Sequence, residues 1–251
     1  MNSRTILAGC ALFCATSTYS LANMITLDAA ARAYSQNDGS QLLTGPSPSG
    51  AKNYGDAYFA ASRGGSTYRN WFAFDLSGVT QPVVSATLRL ENPNVGSSDI
   101  LGSQGPDNTY LLWTVESDFA AVSTSSNSVD VFNDLGDGRT YGAIDVSETF
   151  SNGRLLSINL NSRALTAINS IIASPTENYF MLGGRLVDET VNSKIFRKTW
   201  ETSYGPFTTE LELVAVPEPA TNAAIGVAAL IGFVGYRRLK KKAATKAASK
   251  A

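Results

Sequence analysis

Histidine is absent from this chain, and cysteine occurs only twice, at Cys10 and Cys14. Without imidazole, the Ser-His-Asp and Cys-His nucleophilic arrangements and the usual zinc sites are excluded by composition. Positive charge is scarce through the long middle of the chain. Residues 23–216 hold 12 Lys and Arg against 20 Asp and Glu, a net of −8, whereas the residues after Tyr236 hold seven positive charges and no negative one. An acidic body with scattered cations repels a phosphate backbone, so nucleic acid is not an expected partner. Nothing in the composition calls for a cofactor.

The two ends carry what the middle lacks. Ala220 to Tyr236 runs without a charge and is followed by Arg237, Arg238, Lys240, Lys241 and Lys242. A helix of that length covers about 26 Å, near the lower limit for a hydrocarbon core. The basic cluster belongs on the cytoplasmic side, which leaves everything before Pro217 outside. At the other end Arg4 supplies a positive start, Thr5 to Ala15 an apolar core and Ser20-Leu21-Ala22 a small-x-small site. Those are the parts of a secretory leader, with cleavage expected between Ala22 and Asn23 by signal peptidase. Both cysteines fall inside that leader, so the mature protein is expected to contain none.

Pro217-Glu218-Pro219, the apolar helix and the terminal Arg/Lys cluster, in that order, resemble the PEP-CTERM sorting signal of exported bacterial proteins. The resemblance spans about the last 35 residues of the sequence. It implies that Pro217, Glu218 and Pro219 form a processing motif for an exosortase-like membrane protease. It also implies a precursor in the inner (cytoplasmic) membrane with its body outside, released afterwards to the cell surface or the extracellular matrix. Proline fixes φ, lacks an N–H and disfavours helix in the residue before it, so the membrane helix cannot run backwards through the motif. A plain tail anchor is the alternative.

Between these ends the periodicity is mostly of two, broken by Gly, Pro, Asn, Asp and Ser, as in short antiparallel strands. Strands are expected at 56–62, 68–76, 84–91, 109–116, 129–132, 141–146, 156–160, 178–183, 195–202 and 208–214. In the clearest, Val84, Ala86, Leu88 and Leu90 form a buried face against Ser85, Thr87, Arg89 and Glu91. Asn92 to Asn108 reads as a long loop and the first place to look for a binding edge. Asn161 to Ala173 is the one convincing helix, capped by Asn161 or Ser162 and closed by Pro175.

The expected fold is all-β, a two-sheet jelly-roll-like β-sandwich with one short helix, plus a single C-terminal transmembrane helix. Its expected organisation is a signal peptide over 1–22 and an exported sandwich over 23–215. A sorting signal follows over 216–242, with its membrane helix at 220–236 and basic cluster at 237–242, and then a basic tail over 243–251. The phrase Trp71-Phe-Ala-Phe-Asp75-Leu-Ser77, followed by Val84-Ser-Ala-Thr-Leu-Arg-Leu-Glu91, is similar to the carbohydrate-binding-like DNRLRE modules. That likeness covers about 25 residues of the sequence.

Three chemistries remain open on this reading. Carboxylate glycosidase or lyase chemistry needs only two facing acids, with Asp75, Glu91, Asp118, Asp130 and Asp145 as candidates. Calcium suits oxygen ligands on a flexible turn, such as Asp130, Asp134 and Asp137 beside Gly136 and Gly138, although hairpin turns select the same residues. A glycan surface needs a flat exposed ring, and alternation places Trp71 opposite the Phe72/Phe74 face. The Ser/Thr run at 123–128 is a candidate site for attached sugars. The expectation adopted is a non-catalytic structural or adhesive protein with extracellular polysaccharide as a candidate partner. A true carbohydrate-binding module is the first alternative, and a carboxylate glycosidase or lyase the second.

Overall fold

A computed structural model describes residues 23–39, 41–44, 60–92, 102–124, 128–147, 153–197, 208–216 and 232–233. The chain divides into one unit over Ala22–Val216 and another made of Met1–Leu21 with Pro217–Ala251. All the secondary structure discussed below belongs to the first. The expected processing motif, basic cluster and leader lie outside the described residues, as does the expected membrane helix except for residues 232–233. Among the described residues no helix is long and apolar enough to cross a membrane.

Thirteen strands and three short helices are present among the described residues, and the strands form two antiparallel sheets. The smaller sheet follows from the strongest alternation in the sequence. It has four strands in the order β1 (Asn23–Asp28), β13 (Thr209–Ala215), β6 (Val83–Asn92) and β10 (Arg154–Asn159). Leu88 and Leu90 of β6, Leu211 and Leu213 of β13, and Leu156 and Ile158 of β10 all point inward. The other face stays wet, where Arg89 pairs with Glu212 across the β6–β13 ladder. One buried and one solvated face is the arrangement that period-two patterning specifies.

Val84 breaks the pattern. The ladder pairs Val214 with Ser85 and then Ala215 with Val83, so Val84 is the extra residue of a β-bulge. Val83 is buried and Val84 is 53% exposed. A bulge leaves one residue unpaired and exchanges the faces beyond it, which corrects the expectation that Val84 joins the buried face.

The larger sheet has nine strands. Its main path runs β7 (Gly102–Gln104), β12 (Ser193–Arg197), β4 (Ala60–Arg63), β5 (Ser66–Asp75), β11 (Tyr179–Leu186), β8 (Asn108–Thr114) and β9 (Thr140–Val146). β2 (Ala31–Gln36) also pairs with β5, and β3 (Gln41–Thr44) with β2. Three of these strands, β2, β3 and β7, were not foreseen. β7 replaces the end of the expected loop at 92–108, and residues 93–101 of that loop lie outside the described residues.

Phe72 and Phe74 of β5, Tyr110 and Leu112 of β8, and Phe180 and Leu182 of β11 meet the smaller sheet's leucines in the main core. At about 1.5–3 kcal/mol for each fully buried large apolar side chain, this face is the principal source of stability. Arg32 of β2 reaches across the layers and donates through Nη1 to the Thr209 hydroxyl at 2.7 Å.

Unlike the small sheet, the large one is covered on both faces. Helices α1 (Phe119–Thr124) and α2 (Val129–Asp134) lie over its outer face and close a second cluster of Ala33, Trp71, Ala73, Val122, Val131 and Leu135. The expected strand at 129–132 is therefore a helix. Ser128 caps it, its hydroxyl accepting from the Val131 N–H at 3.2 Å. Helix α3 (Ser162–Ile172) stands where the sequence puts it, with the Asn161 side chain accepting from the N–H groups of Arg163 and Ala164.

Two adjacent glycines admit close neighbours on opposite faces of β11. A Cβ on Gly183 would come within 2.5 Å of the Leu135 carbonyl oxygen, and one on Gly184 within 2.2 Å of Asn70 Oδ1. Gly183 thus admits the turn after α2, while Gly184 makes room on the core side for the Tyr110 hydroxyl, which donates to Asn70 Oδ1 at 2.7 Å. Arg69 and Arg185 fasten the same turn. Arg69 donates to the carbonyls of Phe132 and Asn133, lies over the Phe132 ring and forms a two-pronged pair with Glu189 at 3.0 and 3.2 Å. Arg185 donates to the Gly136 carbonyl at 2.9 Å.

Candidate functional site

Where β8 ends and β11 begins, the coverage by helices is incomplete. The segment 115–120 and α1 stand on one side, α3 and the segment 176–178 on the other, and the strand ends form the floor. The cleft between them has a volume of about 590 Å³. That falls in the range of small-molecule sites.

Its aromatic content is concentrated. Phe119 and Tyr179 stack at 4.0 Å between centroids with 17° between planes. Tyr141 lies deeper, 5.8 Å from the Phe180 ring. Glu116, Asp118 and Glu177 are the charged side chains of the lining, joined by Ser117, Ser170, Thr176 and Asn178; among the described residues no lysine or arginine lines it. Asp118 also positions α1, since its carboxylate accepts from the Ala121 N–H at 2.6 Å. Burial pushes the Tyr141 phenol above its ordinary value, with Arg139 opposing that shift and Glu116 reinforcing it.

Of the acids singled out in the sequence, Asp118 alone lines this cleft. Asp75 accepts from the Ser77 N–H in a turn at the end of β5. Glu91 accepts from the Thr208 N–H on the smaller sheet, and Asp145 takes a hydrogen bond from the Thr109 hydroxyl at 2.7 Å. Asp130 is in the first turn of α2. These acids are not gathered around one point.

Of the aspartates considered for calcium, Asp134 has a structural role nearby. The Asp134 carboxylate accepts from the N–H groups of Glu116 and Ser117, tying the cleft's near wall to the end of α2. Among the described residues no three or more His, Cys, Asp or Glu side chains are grouped so as to hold a metal ion.

Trp71 is a correction. It is 1% exposed, enclosed beneath α1 and α2, and cannot present a face to a sugar. Alternation placed it correctly opposite Phe72 and Phe74, but that face is covered as well. The hydroxyl run is also partly committed to structure. The Ser123 and Thr124 side chains donate to the Ala120 carbonyl and Ser128 caps α2, while residues 125–127 lie outside the described set.

Sequence reading missed Glu116, Phe119, Tyr141, Glu177 and Tyr179. They come from three separate stretches, with no spacing that marks them as one site.

No family model matches the chain, and no curated protein matches it.

Proposed function

We propose that this is an exported, transiently membrane-anchored protein of the cell surface or extracellular matrix. Its body is a non-catalytic structural or adhesive β-sandwich, sorted through the PEP-CTERM-like signal at Pro217, Glu218 and Pro219. The observation that carries the proposal is the pairing of Asn23 with Ala215 in the β1–β13 ladder. Strand β1 begins at Asn23, the residue expected after leader cleavage, and just beyond β13 the Val216 N–H donates to the Pro82 carbonyl at 3.0 Å, one residue before Pro217. Cuts at the two expected sites would leave both sheets whole.

The jelly-roll reading of the sandwich belongs to the same proposal. It is supported by the way successive strands change sheets: β5 to β6, β9 to β10 and β12 to β13 all cross between layers. The C-terminal membrane helix rests on residues 220–236 and on the basic cluster of Arg237, Arg238, Lys240, Lys241 and Lys242.

The deciding experiment is the intact mass of the protein in each cell fraction. The membrane form should start at Asn23 and retain the basic tail, and the surface form should end close to Pro217–Pro219. Protein found soluble inside the cell with its leader attached would overturn the scheme.

A second reading, a carbohydrate-binding module, is favoured by one specific feature. The cleft beside α1 is lined by hydroxyls and by the partly exposed Phe119 and Tyr179 rings, whereas Trp71 is buried.

A further inference from the structure

We propose that the cleft between α1 and α3 binds a saccharide bearing a protonated amine, with a sugar ring against the Phe119 and Tyr179 side chains and the ammonium group drawn to the acidic lining supplied by Glu116, Asp118 and Glu177. The choice of a saccharide rests on the extracellular-matrix reading above; the charge preference rests on the cleft alone.

The volume, about 590 Å³, suits a ligand of small-molecule size, and the site is a trough between elements rather than a flat face. Phe119 and Tyr179 are half-buried and stacked on one another, so the pair is held rigidly and leaves its outer, partly exposed apolar surface for a ligand at little side-chain entropy cost. Ring C–H groups pack on such a surface, while sugar hydroxyls find acceptors and donors in the Asn178 amide and the Ser170 hydroxyl.

Charge then discriminates among sugars. Three exposed carboxylates stand on the rim, and no cation lines it among the described residues. A uronic or sulfated polymer would meet like charge, and the excess of acids over bases in the body makes its approach less favourable still. A neutral sugar would gain stacking only. A ring carrying an ammonium group gains stacking, ion pairing and attraction to the aromatic faces together.

The test uses the full chain in detergent micelles and calorimetric titration with three probes. These are a β-1,4-linked glucosamine tetramer, its fully N-acetylated counterpart and spermidine. Binding of the glucosamine tetramer should be the strongest, should weaken as salt is raised, and should fall about tenfold in the double variant E116Q/E177Q. Both positions are exposed, so these isosteric changes leave the fold intact. Tyr179→Phe keeps the stack and should bind normally, and Tyr179→Ala should lose several-fold.

Equal binding of the acetylated tetramer would remove the ammonium from the proposal. Equal binding of spermidine would remove the ring. Failure of all three probes, with circular dichroism unchanged, would overturn it outright. None of these outcomes bears on export, which the mass of the fractionated protein decides separately.

Discussion

Asn23 and Ala215 face each other as the terminal register pair of the β1–β13 ladder, so the first and last strands of the body lie side by side. β13 is also an interior strand of its sheet, flanked by β1 and β6. The last strand made is therefore the one on which the smaller sheet depends, and the sheet cannot close until residue 215 has arrived. A chain ending after Val216 keeps every one of those ladder bonds and should melt within a degree or two of a longer one. A chain ending at Glu210 loses Leu211 and Leu213 from the core, at roughly 2–5 kcal/mol for each buried leucine, and should not fold. Thermal unfolding of the two truncations by circular dichroism checks the contrast.

Trp71→Ala should cost about 3–5 kcal/mol, the usual penalty for truncating a large buried aromatic. Trp71→Phe should cost less, in part because the buried Trp71 Nε1 has no hydrogen-bond acceptor among the described residues and its removal leaves nothing stranded. Chemical denaturation of both variants gives the comparison. A variant that keeps full stability but loses sugar binding would contradict the burial of Trp71.

These two regions show what was legible in the sequence. Three of the four strands of the small sheet, β6, β10 and β13, were readable because one of its faces meets water and polarity alternates along them, whereas β1 was not foreseen. The large sheet is covered twice, and alternation there distinguishes two apolar environments rather than inside from outside. Val129-Asp130-Val131 alternates as a strand would. The helix is decided instead by the Ser128 cap and by Val131 and Leu135 falling one turn apart on the covered face. Adjacent glycines at 183 and 184 inside a strand were the available signal that another backbone approaches there. The cleft had no signal at all, since its walls come from residues 115–120, 141, 167, 170–171 and 176–181.

Gly183→Ala should be strongly destabilising for the opposite reason to most strand glycines. Alanine suits a strand better than glycine by propensity, yet here its Cβ would press on the Leu135 backbone, which cannot swing aside as a side chain can. Overpacking of this kind costs about 1–3 kcal/mol. Denaturant titration measures the loss, and faster amide exchange confined to residues 129–138 would locate it at α2. A neutral or stabilising result would mean that α2 is not seated on β11.

The arginine that fastens the turn after α2 offers a separate measurement. Arg69 and Glu189 are both largely withdrawn from solvent, with 10% and 24% of their side chains exposed. Removing one partner leaves the other partly buried without its counter-charge, so Glu189→Gln should cost about 1–3 kcal/mol. Arg69→Met loses the carbonyl bonds to α2 as well and should cost more. A double-mutant cycle isolates the pair, and a coupling energy indistinguishable from zero would show that Arg69 acts through the Phe132 and Asn133 carbonyls alone.

Acid should act late at a different point of the same loop. The Asp188 carboxyl is held below its ordinary value of 3.8, chiefly by the hydrogen bond from the Thr190 side chain and then by the Thr190 backbone N–H. A lowered folded pKa means a contribution present above the unfolded value and lost as the pH falls through the folded one. Thr190→Val removes the largest cause, so the Asp188 titration followed by carboxyl NMR should move upward. An unchanged midpoint would show that the side-chain bond is not what holds the proton off.

At the alkaline end the cleft itself can be probed without any ligand. Burial raises the Tyr141 phenol above its ordinary value of 10.0, the nearby Arg139 pulls it down, and Glu116 pushes it up. A raised folded pKa favours the neutral phenol, so its contribution to stability is whole below pH 10.0 and disappears as the pH climbs through the folded value. Glu116→Gln removes a negative neighbour of the phenol and should lower the Tyr141 midpoint, while Arg139→Gln should raise it. Phenolate absorbance, taken as the difference from Tyr141→Phe in each background, isolates the one ring among ten tyrosines. Opposite shifts would establish that the Glu116 carboxylate is felt inside the cleft, as recognition of an ammonium group there requires; a Tyr141 midpoint indifferent to Glu116 would count against it.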